Sequence, residues 1–289
     1  METSDAKQTG ADVACKRQAD GYKGGMRRIA VVVHAFAETI PQYAAMLTAQ
    51  LSSVCIWQPE TCQVEFQVWT AETDQLTHRV CAAFKQQLAT KWNPATIKVR
   101  TLPKKELFRR AIGRNISAKE CEADLMWFAD ADYIFGDMCL DAVASTNFEA
   151  IKPHEMVFPG HYWQSTDHAA GDRELERISP GSLFRPDINS YSKRRLKMGI
   201  GGLQIVPREV ALRGYCDGTE WVKPLKREAG FQDTAEDRVY RGSICSSVPI
   251  VVPNLYRIRH TAAAFEPPQD RTRRMSKKRG FRTDTKGGE

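Results

Sequence analysis

The sequence predicts an α/β protein built on a doubly wound, mostly parallel sheet, and three observations lead there. Strand-like and helix-like segments alternate four times between residues 28 and 129. The first strand-like run, Ile29-Ala30-Val31-Val32-Val33, is continuously apolar instead of alternating, which suits a central strand covered on both faces. At 289 residues and 42% hydrophobic content, the chain can bury one sizeable core, so a single domain with tails is expected.

Residues 1–25 are polar and glycine-containing and are expected to form a disordered tail; they lack the apolar stretch of a signal peptide. The first strand starts at Arg28. Thr39 is a candidate cap for the next helix, with Pro41 in its first turn and Met46, Leu47, Leu51 and Val54 at helical spacing. Val64, Phe66 and Val68 alternate with Glu65 and Gln67 in a second strand that ends at Trp69. Asp74 should cap a helix carrying Leu76, Val80, Phe84 and Leu88. A third strand over 97–102 leads to a helix over 109–122, and the aromatic-rich run 125–129 is a fourth, buried strand. Beyond Asp132 the regularity decays. Residues 156–158 suggest a short strand, 159–197 is long, polar and rich in breakers, and 203–206 is a strand from which Pro207 starts a short helix. The second half is therefore expected to be irregular.

The formal charge of +7 is unevenly placed: residues 271–289 hold eight basic residues against Asp284 and Glu289, so this stretch carries +6. A second basic cluster spans Lys193-Arg194-Arg195-Leu196-Lys197. Eight cysteines without a Cys-x-x-Cys pair read as buried thiols of a reducing compartment. No run approaches the roughly 20 apolar residues needed to span a bilayer. A soluble, cytoplasmic protein without a transmembrane segment is the expectation.

Chemistry concentrates in Trp127-Phe128-Ala129-Asp130-Ala131-Asp132, two carboxylates one residue apart at the end of an apolar strand. Open α/β sheets bind ligands at that end of their strands. Strand alternation would send Asp130 and Asp132 to the same side, where their repulsion calls for a hard cation such as Mg²⁺ or Mn²⁺, or for donors. By itself Asp-x-Asp is a common tripeptide that also occurs at solvated strand ends and helix caps.

Ordered around it are Arg114-Asn115, sixteen residues before Asp130; Gly201-Gly202-Leu203-Gln204; Glu236-Asp237; and His260. This set resembles the family 2 glycosyltransferases of the GT-A fold, over about residues 28–265. The resemblance implies one GT-A-like domain over 26–266, divided into a nucleotide-sugar half (26–135) and an acceptor half (136–266), followed by a basic tail (267–289). It implies transfer from a nucleoside diphosphate sugar to an acceptor hydroxyl. Phe36, Glu38, Asp74, Arg114 and Asp130 would bind the donor, and Asp132 with His260 would bind Mn²⁺ or Mg²⁺. Gly201, Gly202 and Glu236 would lie beside the acceptor, and Asp237 would be the base of an inverting transfer. Asp233-x-x-Glu236 equally reads as a capping box. The chain departs from the family in lacking Pro-x-Tyr-Asn after the first strand, in ending the second strand with Trp69-Thr70-Ala71-Glu72, and in having Tyr133 in place of a frequent third aspartate.

Two other functional classes fit parts of the sequence. A nucleotidyltransferase or other metal-dependent phosphoryl-transfer enzyme could use the same carboxylates without a base placed like Asp237. A polyanion-binding protein would use the basic clusters. For a glycosyltransferase, the same clusters point to nucleic acid, with hydroxylated bases in DNA as one form, or to a glycan or lipid acceptor at an anionic membrane.

Overall fold

A computed structural model describes residues 26–89, 93–151, 155–217, 236, 240–242, 244 and 246–261. Asp237, residues 1–25 and the basic tail lie outside the described residues. The chain runs β1 (Arg27–His34), α1 (Gln42–Ile56), β2 (Cys62–Thr70), α2 (Gln75–Leu88), β3 (Ala95–Thr101), α3 (Lys104–Leu107), α4 (Arg110–Glu120) and β4 (Leu125–Ala129). There follow β5 (Tyr133–Phe135), α5 (Cys139–Ala144), β6 (Glu155–Pro159), β7 (His161–Ser165), α6 (His168–Glu176), β8 (Tyr191–Arg195), β9 (Leu203–Pro207), α7 (Arg208–Asp217), β10 (Ser246–Ile250) and β11 (Leu255–Arg257).

Seven strands form one mixed sheet in the order β10-β6-β9-β4-β1-β2-β3, and four form a second in the order β5-β11-β7-β8. In the large sheet β3, β2, β1 and β4 are parallel, β10 is parallel to β6, and β9 runs antiparallel to both β4 and β6. The protein is thus α/β with a mostly parallel, Rossmann-like sheet.

The continuous apolar run of β1 is explained by its two covered faces. Ile29, Val31 and Val33 pack in one cluster with Leu47, Leu51 and Val54 of α1 and with Val80 and Phe84 of α2. Ala30 and Val32 pack in the other with Phe108, with Ala111 and Ala118 of α4, and with Val210 and Ala211 of α7. Each fully buried valine contributes about 1.5–3 kcal/mol relative to an exposed one. Asp74 caps α2 as its sequence position suggests, accepting from the Thr77 amide at 3.1 Å. Thr39 does not cap α1: the N-cap is Pro41 without a side-chain bond, and Thr39 lies exposed in the preceding turn. Pro41 supplies a fixed φ where no amide hydrogen is needed.

The segment 159–197 is more ordered than expected. It folds into β7, α6 and β8, and the cross-strand pairs Trp163↔Lys193 and His161↔Arg195 show the regular ladder that its polar composition hides. Among the described residues, Cys55, Cys62, Cys81, Cys121 and Cys139 are free thiols. No helix among them is long and apolar enough to cross a membrane.

Candidate functional site

The chain leaves β1 for β2 and β3 on one side, then returns to lay β4 on the other side of β1. The direction of winding reverses between β1 and β4, and crevices at such reversals are the ligand sites of open α/β sheets. Asp130 and Asp132 stand at the C-terminal end of β4, and His34 ends β1 next to it.

The two carboxylates have different partners. β4 ends at Ala129 and a turn carries Ala131 and Asp132, so strand alternation no longer sets their directions. Asp130 is partly exposed, with Oδ1 at 3.8 Å from Arg110 Nε and 3.9 Å from Arg114 Nη2. Asp132 is buried and faces the second sheet. Its Oδ2 accepts from Arg257 Nε at 2.7 Å and lies 3.7 Å from His260 Nε2, while its backbone carbonyl accepts from the Ile258 amide at 2.9 Å. Repulsion between the acids is thus relieved by four cationic or imidazole side chains from α4 and from the β11 segment. Burial pushes the Asp132 carboxyl upward, but the charge of Arg257 and the contacts with His260 outweigh it and leave the pKa at about 2. Asp132 is therefore an anion at neutral pH.

Arg114 is fully buried. Its Nη2 donates to the Gly201 carbonyl at 3.1 Å, and its guanidinium carbon lies 5.4 Å from the centre of the Phe128 ring. It joins Asp130 to the Gly201-Gly202 segment, so four expected site residues meet here. A Cβ on Gly202 would stand 2.7 Å from both Asp130 Oδ2 and Tyr133 Cε2, which explains the need for glycine at the entry to β9. Glu236 reaches across to α4: Oε2 accepts from the Ala111 amide at 3.1 Å, and Oε1 lies 3.8 Å from Arg109 Nη1. It caps the N-terminal turn of another helix, where its charge favours the helix dipole, instead of facing open space beside an acceptor. Tyr240 packs edge-on to Phe128 at 5.8 Å.

Three expected donor contacts have structural partners. The Asp74 carboxylate is buried and accepts from the Ala37 amide, Thr70 Oγ1 and Thr77, which ties the end of β1 to α2. Phe36 is buried edge-on against Phe108 at 5.3 Å, with Lys104 Nζ over its ring. Glu38 is exposed and accepts from Thr73 Oγ1. Of these three, only Glu38 presents its side chain to solvent.

The sequence reading passed over Arg110, Tyr43 and Gln50. Arg110 interacts with both Asp130 and Tyr43, and Gln50 Nε2 donates to the Asp130 carbonyl at 3.0 Å. The signal for Arg110 was available, because it precedes Arg114 by four residues and shares its helical face. His34 is buried beside α4, where Gly113 leaves room for its ring. Burial, then the charges of Arg114 and Arg110, hold its pKa well below the ordinary histidine value.

The chemistry of Asp132 and His260 fits a divalent ion. Asp132 Oδ1 and His260 Nδ1 are buried without a hydrogen-bond partner among the described residues, and together they offer one oxygen and one nitrogen donor, a set that suits Mn²⁺ better than the oxygen-preferring Mg²⁺. No cluster of three or more His, Cys, Asp or Glu ligands occurs among the described residues. An ion held by two protein ligands would complete its shell with phosphate oxygens and water, as Mg²⁺ commonly does. A separate cavity of about 590 Å³ opens at the opposite end of the sheet, lined by Arg28, Gln63, Glu65, Lys98, Glu120 and Glu122 among others, and contains none of these residues. Compared with known proteins, the chain matches no family model and no curated protein.

Proposed function

We propose that the protein is a glycosyltransferase of GT-A type that moves a sugar from a nucleoside diphosphate sugar to an acceptor hydroxyl, with inversion and with Mn²⁺ or Mg²⁺ as its cofactor. The observation that carries this reading is the division of labour at the end of β4: Asp130 faces Arg110 and Arg114, whereas the buried anion Asp132 meets Arg257 and His260 through Oδ2 and keeps Oδ1 unpartnered among the described residues. The antiparallel β9 entered through Gly201-Gly202, and the small second sheet that delivers Arg257 and His260, also support it.

Asp132 and His260 would hold the metal, which when bound neutralises charge on the diphosphate leaving group. Asp130, braced by Arg110 and Arg114, would accept hydrogen bonds from ribose hydroxyls. The arginines supply positive charge where the departing diphosphate gathers negative charge. Asp237 would take the proton of the acceptor hydroxyl as its oxygen bonds to the anomeric carbon and the bond to the diphosphate oxygen breaks. Glu236, which bonds the Ala111 amide of α4, would act as a positioning residue for its chain neighbour Asp237.

The test is a panel of sugar nucleotides with Mn²⁺ or Mg²⁺, scored for nucleoside diphosphate release with DNA, glycan and lipid acceptors. Release that EDTA, Asp132→Asn and Asp237→Asn each abolish, while the Asp237→Asn protein still binds donor, is the expected result. Production of pyrophosphate would replace the reading with nucleotidyl transfer, and turnover that persists in EDTA would remove the metal.

A further inference from the structure

The second sheet ends in an edge strand, β8, with an unusual surface. Lys193, Arg194, Arg195 and Lys197 are all exposed, and among the described residues none of the four forms an ion pair or a side-chain hydrogen bond. Asp187, the nearest acid before β8, bonds the Asn189 amide. Charged residues on an edge strand commonly prevent unwanted pairing with another chain, and charge alone would need no further explanation. Trp163 does need one. It sits on β7 directly opposite Lys193 and is 37% exposed, with exposed His161 two residues away opposite Arg195.

Residues directly opposite across a ladder share a face, so Trp163, Lys193, His161 and Arg195 form one group. Their neighbours along each strand are spaced by about 6.8 Å. An indole flanked by cations at that spacing can stack on one base while the cations meet the adjoining phosphates, the combination that binds single strands with little sequence preference. A duplex offers its phosphates but keeps its bases stacked inside, so the indole selects for a strand with free base faces.

The surface adjoins the candidate site. β7 pairs with β11, and Arg257, Gln164 and Ser192 stand in one row across β11, β7 and β8. Ser192 and Arg257 are two strands apart, about 10 Å. Arg194 shares the Ser192 face, hence the face of Arg257, while Trp163 and Lys193 lie on the other face. A strand held at Trp163 therefore crosses the β8 edge past Arg194 before it reaches the carboxylates.

We propose that the β7–β8 edge is a docking surface for single-stranded nucleic acid, with Trp163 stacking on a base and Lys193, Arg194 and Arg195 contacting phosphates. That the docked strand presents the acceptor hydroxyl rests on the transferase reading; the docking itself does not.

The experiment is fluorescence anisotropy of a labelled oligothymidine titrated with the full chain between about 0.05 and 0.2 M salt. Replacing both Lys193→Gln and Arg195→Gln should reduce the slope of log affinity against log salt by about 1.4, and affinity at 0.1 M salt by roughly 25-fold. Trp163→Ala should lose about five-fold or more with the slope unchanged, and Trp163→Phe should recover most of it. Unchanged binding in all of these variants overturns the proposal. So does a pattern in which the same variants lose binding to phosphatidylserine vesicles and not to the oligonucleotide, which would make the edge a membrane surface. Asp132→Asn should keep oligonucleotide binding. If no sugar nucleotide is turned over while the edge variants behave as stated, the transferase reading fails and the docking surface stands.

Discussion

Replacing Arg257 with methionine tests the central electrostatic feature of the site. In the parent, Asp132 has only 4% of its side chain exposed, and Arg257 meets it at 2.7 Å with 31% exposed. Holding the carboxyl at about 2 instead of 3.8 corresponds to about 2–3 kcal/mol of folding stability. Because the folded-state value is depressed, that contribution is complete above the unfolded value and is lost as pH falls through about 2. Without Arg257 the burial penalty on the anion is no longer outweighed, and breaking buried pairs costs about 3–5 kcal/mol. The partial exposure of Arg257 puts the expected loss at the lower end, about 3 kcal/mol at pH 7. Urea denaturation in EDTA at pH 7 and at pH 3 measures it. Parent and variant should differ by about 3 kcal/mol at pH 7 and by clearly less at pH 3, where Asp132 of the variant, buried without Arg257, is protonated and needs no cation while the parent has lost part of its advantage. A difference independent of pH, or below about 0.5 kcal/mol at pH 7, would refute the reasoning, since surface changes alone commonly have effects of that size.

Gly202→Ala should cost about 1–3 kcal/mol, because its new methyl would overlap the Asp130 carboxylate and the buried Tyr133 ring. A donor dissociation constant that does not rise in that variant would detach Gly202 from the nucleotide site. His34 gives a second pH signature. With its folded pKa depressed, the parent loses up to about 1.4 kcal/mol per pH unit as pH falls below the unfolded value near 6.5. His34→Leu should flatten that limb whatever its stability at pH 8, and an unchanged slope between pH 6.5 and 5 would assign the loss elsewhere.

Where the sequence was informative, local physics sufficed. The fourth strand is legible to the residue because 125–129 is too short and aromatic for a surface helix and is bounded by polar residues. The β1 run announces two covered faces, and two clusters cover it. Strand direction is different, since nothing local to Leu203-Gln204-Ile205-Val206 says that it must run against β4; its place between β4 and β6 is decided by long-range pairing. The ladder of β7 and β8 escaped notice because one strand reads His-Tyr-Trp-Gln-Ser and the other Tyr-Ser-Lys-Arg-Arg, and polar edge strands lack the apolar alternation by which strands are recognised. The roles of Asp74 and Glu236 were ambiguous for a related reason: a carboxylate that caps a helix and one that binds a ligand use the same acceptor chemistry. Only partners distant in the chain, such as Ala37 for Asp74 and Ala111 for Glu236, separate the two.

The Asp-x-Asp sequence is also a mechanical junction. Its first carboxylate is held by helix α4 over the large sheet, and its second by Arg257 at the end of β11 in the small sheet, with the Ile258 amide fixing the Asp132 carbonyl. β5 begins at the next residue and pairs with β11, so Asp132 cannot shift without moving the register of the small sheet. β7, with Trp163, pairs with the other side of β11 and in turn with β8. Displacement of the β8 edge would therefore reach Arg257 through two ladders of backbone hydrogen bonds, in elements only three to five residues long. Short strands with polar outer faces are among the least stable parts of a fold, so the small sheet is where local opening should begin. Arg257 carries the consequence, because loss of β11 pairing would separate it from Asp132 and leave a buried anion uncompensated. Hydrogen exchange at the Arg257 and Ile258 amides should accordingly be faster than at Val31 and Val32 in the centre of the large sheet. Equal protection at all four would mean that the two sheets open as a unit, and that the carboxylate pair is held more rigidly than the small sheet alone can explain.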